Sequence, residues 1–149
     1  MGWACVTHVR RHHAHHHSAG GGHIYQGRFK SFPVQDDRHF LVLCRYVEAN
    51  PVRAGLVTSG RHWPWSSLHD RLAKQPALPT TDWPVERPGN WLEMVDRPMR
   101  KSDADAVRTS LTRGRPLGDP LWTLEASPRL GLDYTLRPRG RPRVRPHNE

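Results

Sequence analysis

Cysteine is scarce in this chain of 149 residues, with Cys5 and Cys44 making up the whole complement. They form neither a Cys-x-x-Cys pair nor a disulfide framework, which points to a reducing intracellular compartment and excludes structural zinc held by cysteine alone. Apolar residues are also in short supply, at 36% with a mean hydropathy of -0.77. No apolar run approaches the length that spans a bilayer, and no signal-like stretch follows the start. Val6 stands where a myristoylation signal needs Ser or Thr. These absences lead to the expectation of a soluble, cytoplasmic protein without a membrane partner. Solenoid-type repeats are lacking too, although Arg-Gly-Arg-Pro occurs twice, at 113–116 and 139–142.

What is abundant is positive charge. The formal net charge is +9 and the sequence pI about 10.7, carried almost wholly by arginine, whose planar fork suits phosphate better than the point charge of lysine. A polyanion is the expected partner, and nucleic acid is the commonest one. Fourteen prolines and 12 glycines break up regular elements, so a modest core with much irregular chain is expected.

Along the chain, Gly2 to about His17 reads as a helix with Trp3, Val6 and Val9 on one side, stopped by Ser18 to Gly22. The next segment, HIYQGRFKSFPVQ, alternates Tyr25, Gly27, Phe29 and Ser31 against Gln26, Arg28, Lys30 and Phe32, which suits a strand ending near Pro33. A helix follows, capped by Asp36 or Asp37, with Phe40, Leu41, Leu43, Cys44 and Val47 spaced for a buried face and Pro51 ending it. Ser66 and Ser67 can cap a short helix after Trp63 and Trp65. The proline-rich stretch from Lys74 to Arg100 reads as a connecting segment anchored by Trp83 and Trp91. Ser102 with Asp105 opens a helix stopped by Gly114, and Asp119 with Pro120 opens another stopped by Gly131. The end, RPRGRPRVRPHNE, has no apolar content for a core and is expected to be disordered when free.

Tyr46 lies near the end of the central helix. Helical spacing puts Asn50 one turn beyond it and His39 two turns before it on the same face, with Arg38 and Arg45 on adjoining faces and Arg53 just after the helix end. A phenol among cations has its phenolate favoured, and a phenolate can attack phosphorus. A ring packed at the rim of the core, with its hydroxyl in water, fits the same spacing.

The ordered combination GHIYQGRFKSFPVQDDRHFLVLCRYVEANPVRAGLV followed by WPWSSL resembles the second half of the catalytic domain of the REP-associated tyrosine transposases, within the HUH endonuclease superfamily. The resemblance covers roughly residues 3 to 70. It implies an α+β fold, the C-terminal part of a ferredoxin-like transposase domain, and metal-dependent cleavage and rejoining of single-stranded or hairpin DNA. In that family a tyrosine, here matched by Tyr46, attacks a phosphodiester to leave a 5'-phosphotyrosine link. Asn50 matches a position that in relatives can face the Mg²⁺ or Mn²⁺ ion, although an asparagine before proline is also an ordinary helix stop. The family's His-hydrophobe-His metal pair precedes the region matched here, so the chain reads as an N-terminally truncated relative that binds DNA and cuts poorly or not at all. The resemblance also allows a homodimer.

Other residues carry further expectations. His13 with His15, or His15 with His17, has the His-x-His form, but on a helix such neighbours point about 200° apart. His12 with His16 and His13 with His17 could hold Zn²⁺ or Ni²⁺ adventitiously; a solvated face beside Arg10 and Arg11 that meets DNA phosphates is the favoured reading. Arg28 and Lys30 suit phosphate contacts or a guarded strand edge. Trp63 and Trp65 could stack bases, though sealing a core corner is the expectation. Arg137, Arg139, Arg141, Arg143 and Arg145 recur at every second residue around Gly140 and resemble an AT-hook for the minor groove of A·T-rich duplex, or a non-specific phosphate binder. The expected organisation is a partial transposase domain over 1–70, a proline-rich connection over 71–100, a helical region over 101–132 and the arginine-rich tail over 133–149. The rival readings are a non-enzymatic DNA-binding or regulatory module and a decayed mobile-element remnant.

Overall fold

The computed structural model describes residues 2–18, 20, 24–25, 31–73 and 82–137, in two units that divide at residue 30. The first contains α1 (Gly2–His16), closed by His17 with a left-handed φ of 49° and by the Ser18 N–H donating to the His13 carbonyl at 3.2 Å. Trp3 is 82% exposed and Val6 50%. The Tyr25 hydroxyl and His8 Nδ1 are 2.9 Å apart.

The second unit runs through α2 (Asp37–Glu48), α3 (Asn50–Arg53), a 3₁₀ turn at Gly60–His62, α4 (Ser67–Leu72), α5 (Trp91–Asp96), α6 (Lys101–Arg113), α7 (Pro120–Arg129) and a 3₁₀ turn at Asp133–Leu136. The expected α+β, ferredoxin-like fold is overturned: 61% of the described residues are helical, 2% are in β-bridges, and there is no sheet among them. The expected strand falls largely on 26–30, outside the described residues. Its end pairs only through the isolated parallel bridge of Val34 with Leu117. The Gln35 N–H donates to the Leu117 carbonyl at 2.9 Å and the Leu117 N–H to the Pro33 carbonyl at 2.8 Å. The ladder stops there for a local reason, because Asp36 caps α2 on one side and Asp119 precedes α7 on the other. In the other direction Pro33 and Pro116 have no N–H to donate to a ladder.

Helix α2 stands between two small cores. On one side Tyr46 packs with Ala104, Val107 and Leu117, joined by Val42, Leu43 and Met99. On the other, Ala49 packs with Leu68, Trp91 and Val95, joined by Leu41, Cys44 and Trp83. The buried residues of α2 are His39, Tyr46 and Glu48, while Val47, expected inside, lies between the two faces and is 60% exposed. The second core has a polar centre. Glu48 is 5% exposed, and its carboxylate accepts from the Trp91 indole Nε1 at 2.6 Å and the Ser67 hydroxyl at 2.9 Å, which satisfies a charge that would otherwise be costly inside. Trp83 meets Trp91 edge to face at 5.0 Å between centroids. Pro51 does not end the helical path, because the chain pauses at Ala49 and resumes as α3 with proline in its first turn, where the missing N–H is not needed. Ser102, the expected cap, lies inside α6, which starts at Lys101.

Candidate nucleic-acid interface

The turn from α2 into α3 brings Arg53 back over Tyr46. The guanidinium carbon lies 4.0 Å from the ring centroid, Nη1 reaches the Tyr46 carbonyl at 3.5 Å and Nη2 donates to Asn50 Oδ1 at 2.7 Å. A planar cation over an aromatic face is attracted by the ring quadrupole. Arg108 of α6 lies near the Tyr46 side chain and donates to Asp105 at 3.0 Å. Those two contacts hold its guanidinium pKa above the ordinary value, the contact with Tyr46 contributing most. Tyr46 is 9% exposed and is thus a core aromatic clasped by two arginines.

Beside this clasp lies a cleft of about 390 Å³ whose lining includes Arg53, Arg97, Lys101 and Arg108. Asp96 also lines it, with its oxygens engaged by the Ser59 hydroxyl at 2.7 Å and the Gly60 N–H at 2.8 Å. Arg97 also pairs with Glu93 at 2.8 Å. With Arg97 and Arg108 paired to Glu93 and Asp105, Arg53 and Lys101 against the Asp96 carboxylate leave the cleft a surplus of positive charge, and it adjoins the apolar walls formed by Val52 and Ala104. Such a concavity attracts a phosphodiester and focuses its field.

The residues singled out from spacing fare differently. Arg45 donates from Nε to the Met94 carbonyl at 2.6 Å and from Nη2 to the carbonyls of Arg97 and Pro98 at 3.0 and 3.2 Å; it clamps the α5–α6 loop that forms one wall of the cleft. His39 is turned away from Tyr46 chemistry. Its Nε2 accepts from Arg38 at 3.2 Å, and Nδ1 then donates to Asp36 at 2.7 Å. Asp36 in turn has its pKa lowered, chiefly by the His39 backbone N–H and then by the ring. Asn50 is exposed and faces a different concavity from the cationic cleft. Arg10 and Arg11 are exposed on α1, in the first unit. On that helix His12 and His16 lie 4.3 Å apart between centroids, and the His12 pKa is lowered by partial burial and then by His16 and its other histidine neighbours. Arg137 approaches Asp133 at 3.5 Å, and its carbonyl accepts from Arg113. Arg28, Lys30, Arg139, Arg141, Arg143 and Arg145 lie outside the described residues. Trp65, expected to seal a core corner, is 83% exposed.

Arg97, Lys101 and Arg108 were not marked by the sequence as site residues. Arg108 follows the buried Val107 on α6, and only knowledge that this face packs on Tyr46 would single it out. Arg53 carried a usable signal, sitting two helical turns after Tyr46.

The Mg²⁺ or Mn²⁺ ion implied by the transposase resemblance does not fit these residues. Asn50 Oδ1 already accepts from a guanidinium at 2.7 Å, which would set a like charge against a divalent ion. No group of three His, Cys, Asp or Glu side chains able to hold a metal occurs among the described residues. What the arrangement offers is anion binding by arginine and lysine. No family model matches the chain, and neither a curated protein nor a solved structure matches it. Among the described residues no helix is long and apolar enough to cross a membrane.

Proposed function

We propose that this protein is a cytoplasmic nucleic-acid-binding protein that holds single-stranded or hairpin DNA by its phosphates and does not cut it. The observation that carries the reading is the cleft in which Arg53, Arg97, Lys101 and Arg108 converge beside Tyr46. The surplus of arginine over the whole chain agrees with it, and the arginine-rich tail supplies a second, independent phosphate-binding or A·T-tract segment. Tyr46 then acts as the post on which two of the cleft arginines are hung.

The second reading, strand cleavage through Tyr46 as in the transposases the sequence resembles, is favoured by one observation. Arg53 lies over the Tyr46 ring and Arg108 near its side chain, where cations would meet the charge on an attacked phosphate. One pair of gels separates the readings. In a mobility-shift assay with hairpin DNA, Arg53→Ala and Arg108→Ala should each weaken binding about tenfold, the scale of a lost charge-assisted hydrogen bond. Unchanged binding in both variants would sink the proposal. On a denaturing gel after incubation with Mg²⁺ or Mn²⁺, no covalent protein–DNA band is expected. A band that disappears in Tyr46→Phe would establish the cleavage reading instead.

A further inference from the structure

Helix α3 is a single turn with a concavity on each side. Its residues Val52 and Arg53 line the cationic cleft, whereas Asn50 and Pro51 on the opposite face line a second hollow of about 310 Å³. The walls of this second hollow are apolar and aromatic, formed with Val47, Leu56, Trp63 and Trp65. Three of those side chains stand largely in solvent: Val47 is 60% exposed, Leu56 62% and Trp65 83%. A tryptophan left this open beside other exposed apolar groups marks a binding surface.

The polar groups of the hollow decide what it can take. The Ser67 hydroxyl donates to Glu48, and the Ser66 hydroxyl donates to the Trp63 carbonyl while accepting from the His69 N–H. Glu48 has both oxygens engaged. Asn50 gives its Oδ1 to Arg53, leaving its amide N–H groups for a ligand. A flat, weakly polar ring with an acceptor on its edge matches that inventory. The buried Glu48 charge repels a phosphate from this side of α3, and the four cations attract one on the other.

We infer that the hollow around Trp65 takes an unstacked nucleobase of the same strand whose phosphates occupy the Arg53 cleft, with the strand crossing α3. This rests on the nucleic-acid-binding reading above and deepens it, making the ligand single-stranded and the recognition indifferent to base sequence. Every base offers a π-face, and the donors the hollow has to spare, the Asn50 amide and the indole N–H groups of Trp63 and Trp65, find an acceptor on the edge of any base.

The test compares two oligonucleotides of equal length and charge, one of thymidines and one abasic throughout, titrated into the full chain by fluorescence anisotropy. The thymidine strand should bind roughly tenfold to a hundredfold more tightly than the abasic strand, the range of one base stacked on an aromatic side chain. Trp65→Ala should abolish that preference while leaving abasic affinity unchanged, and Trp65→Phe should retain part of it. Equal binding of the two strands by the native protein, or a preference that survives in Trp65→Ala, overturns the inference but leaves phosphate binding standing. Failure to bind either strand overturns the inference, and failure to shift hairpin DNA as well overturns the nucleic-acid-binding reading with it. A change of sedimenting mass in Trp65→Ala with the base preference intact would assign the hollow to contact between copies of this chain, and that too overturns the inference.

Discussion

Tyr46 and Cys44 sit two residues apart on α2 and answer to different surroundings. Tyr46 packs against α6 and carries Arg53 over its ring face with Arg108 nearby, so its burial and its cationic neighbours are parts of one contact. Cys44 belongs to the second core, near the Glu48 carboxylate. Burial and that charge push its thiol pKa up to about 11, and thiolate is the reactive form. Cys44 is therefore expected to resist iodoacetamide at pH 8 in the folded protein and to react after unfolding in denaturant, which peptide mass mapping reads directly. Rapid labelling of Cys44 in the native state would contradict the packing described for this face. The sequence left Tyr46 open between core aromatic and nucleophile, and the burial of its ring was legible from spacing. Its arginine clasp was not, because Arg108 arrives from a helix remote in sequence.

At the scale of elements, the close approach of the 3₁₀ turn at Gly60 to α4 and α5 is the tightest constraint on the second core. A β-carbon at Gly60 would stand 2.9 Å from Leu68 Cδ2 and 3.1 Å from Val95 Cγ1, and both neighbours are 1% exposed. Gly60→Ala should lower stability by about 1–3 kcal/mol, the usual cost of overpacking, seen as a lower urea midpoint with an unchanged slope. No change in midpoint would mean that this core yields more easily than its burial implies. Helix punctuation was the most readable part of the fold. Asp36 caps α2 by accepting from the His39 N–H at 2.9 Å, and Gly114 and Gly131 follow α6 and α7 with φ of 69° and 66°. Helix α5 was missed because it lies in a proline-rich stretch and is held by tertiary contacts of Trp91 and Val95 rather than by propensity. The sheet was expected because the transposase resemblance implies one, and the alternating pattern describes a strand without supplying the partner it must pair with.

For the whole molecule, the balance of charge governs how binding responds to salt. Each phosphate neutralised releases counterions, so affinity for DNA should fall steeply and linearly on a logarithmic salt scale. Arg53→Ala and Lys101→Ala are each expected to reduce the magnitude of that slope by about one. A slope unchanged by both substitutions would place the phosphate contacts elsewhere, in the arginine-rich tail above all. Net charge and arginine content made the polyanion reading available before any fold was known. The location of the cleft was not available, since Arg53, Arg97, Lys101 and Arg108 are gathered by the packing of α5 and α6 against the α2–α3 turn.

The two cores that share α2 also differ in when their residues are made. The face of α2 that carries Cys44 and Glu48 finds its buried partners at Leu68, Trp91 and Val95, whereas the face that carries Tyr46 finds them at Ala104, Val107 and Leu117. On a ribosome, where synthesis proceeds from the N-terminus, the first face is covered while the segments that cover the second have yet to emerge. The newborn chain thus carries its central tyrosine uncovered until α6 and the Val34 partner arrive, and the cationic cleft is among the last features of this unit to come into being.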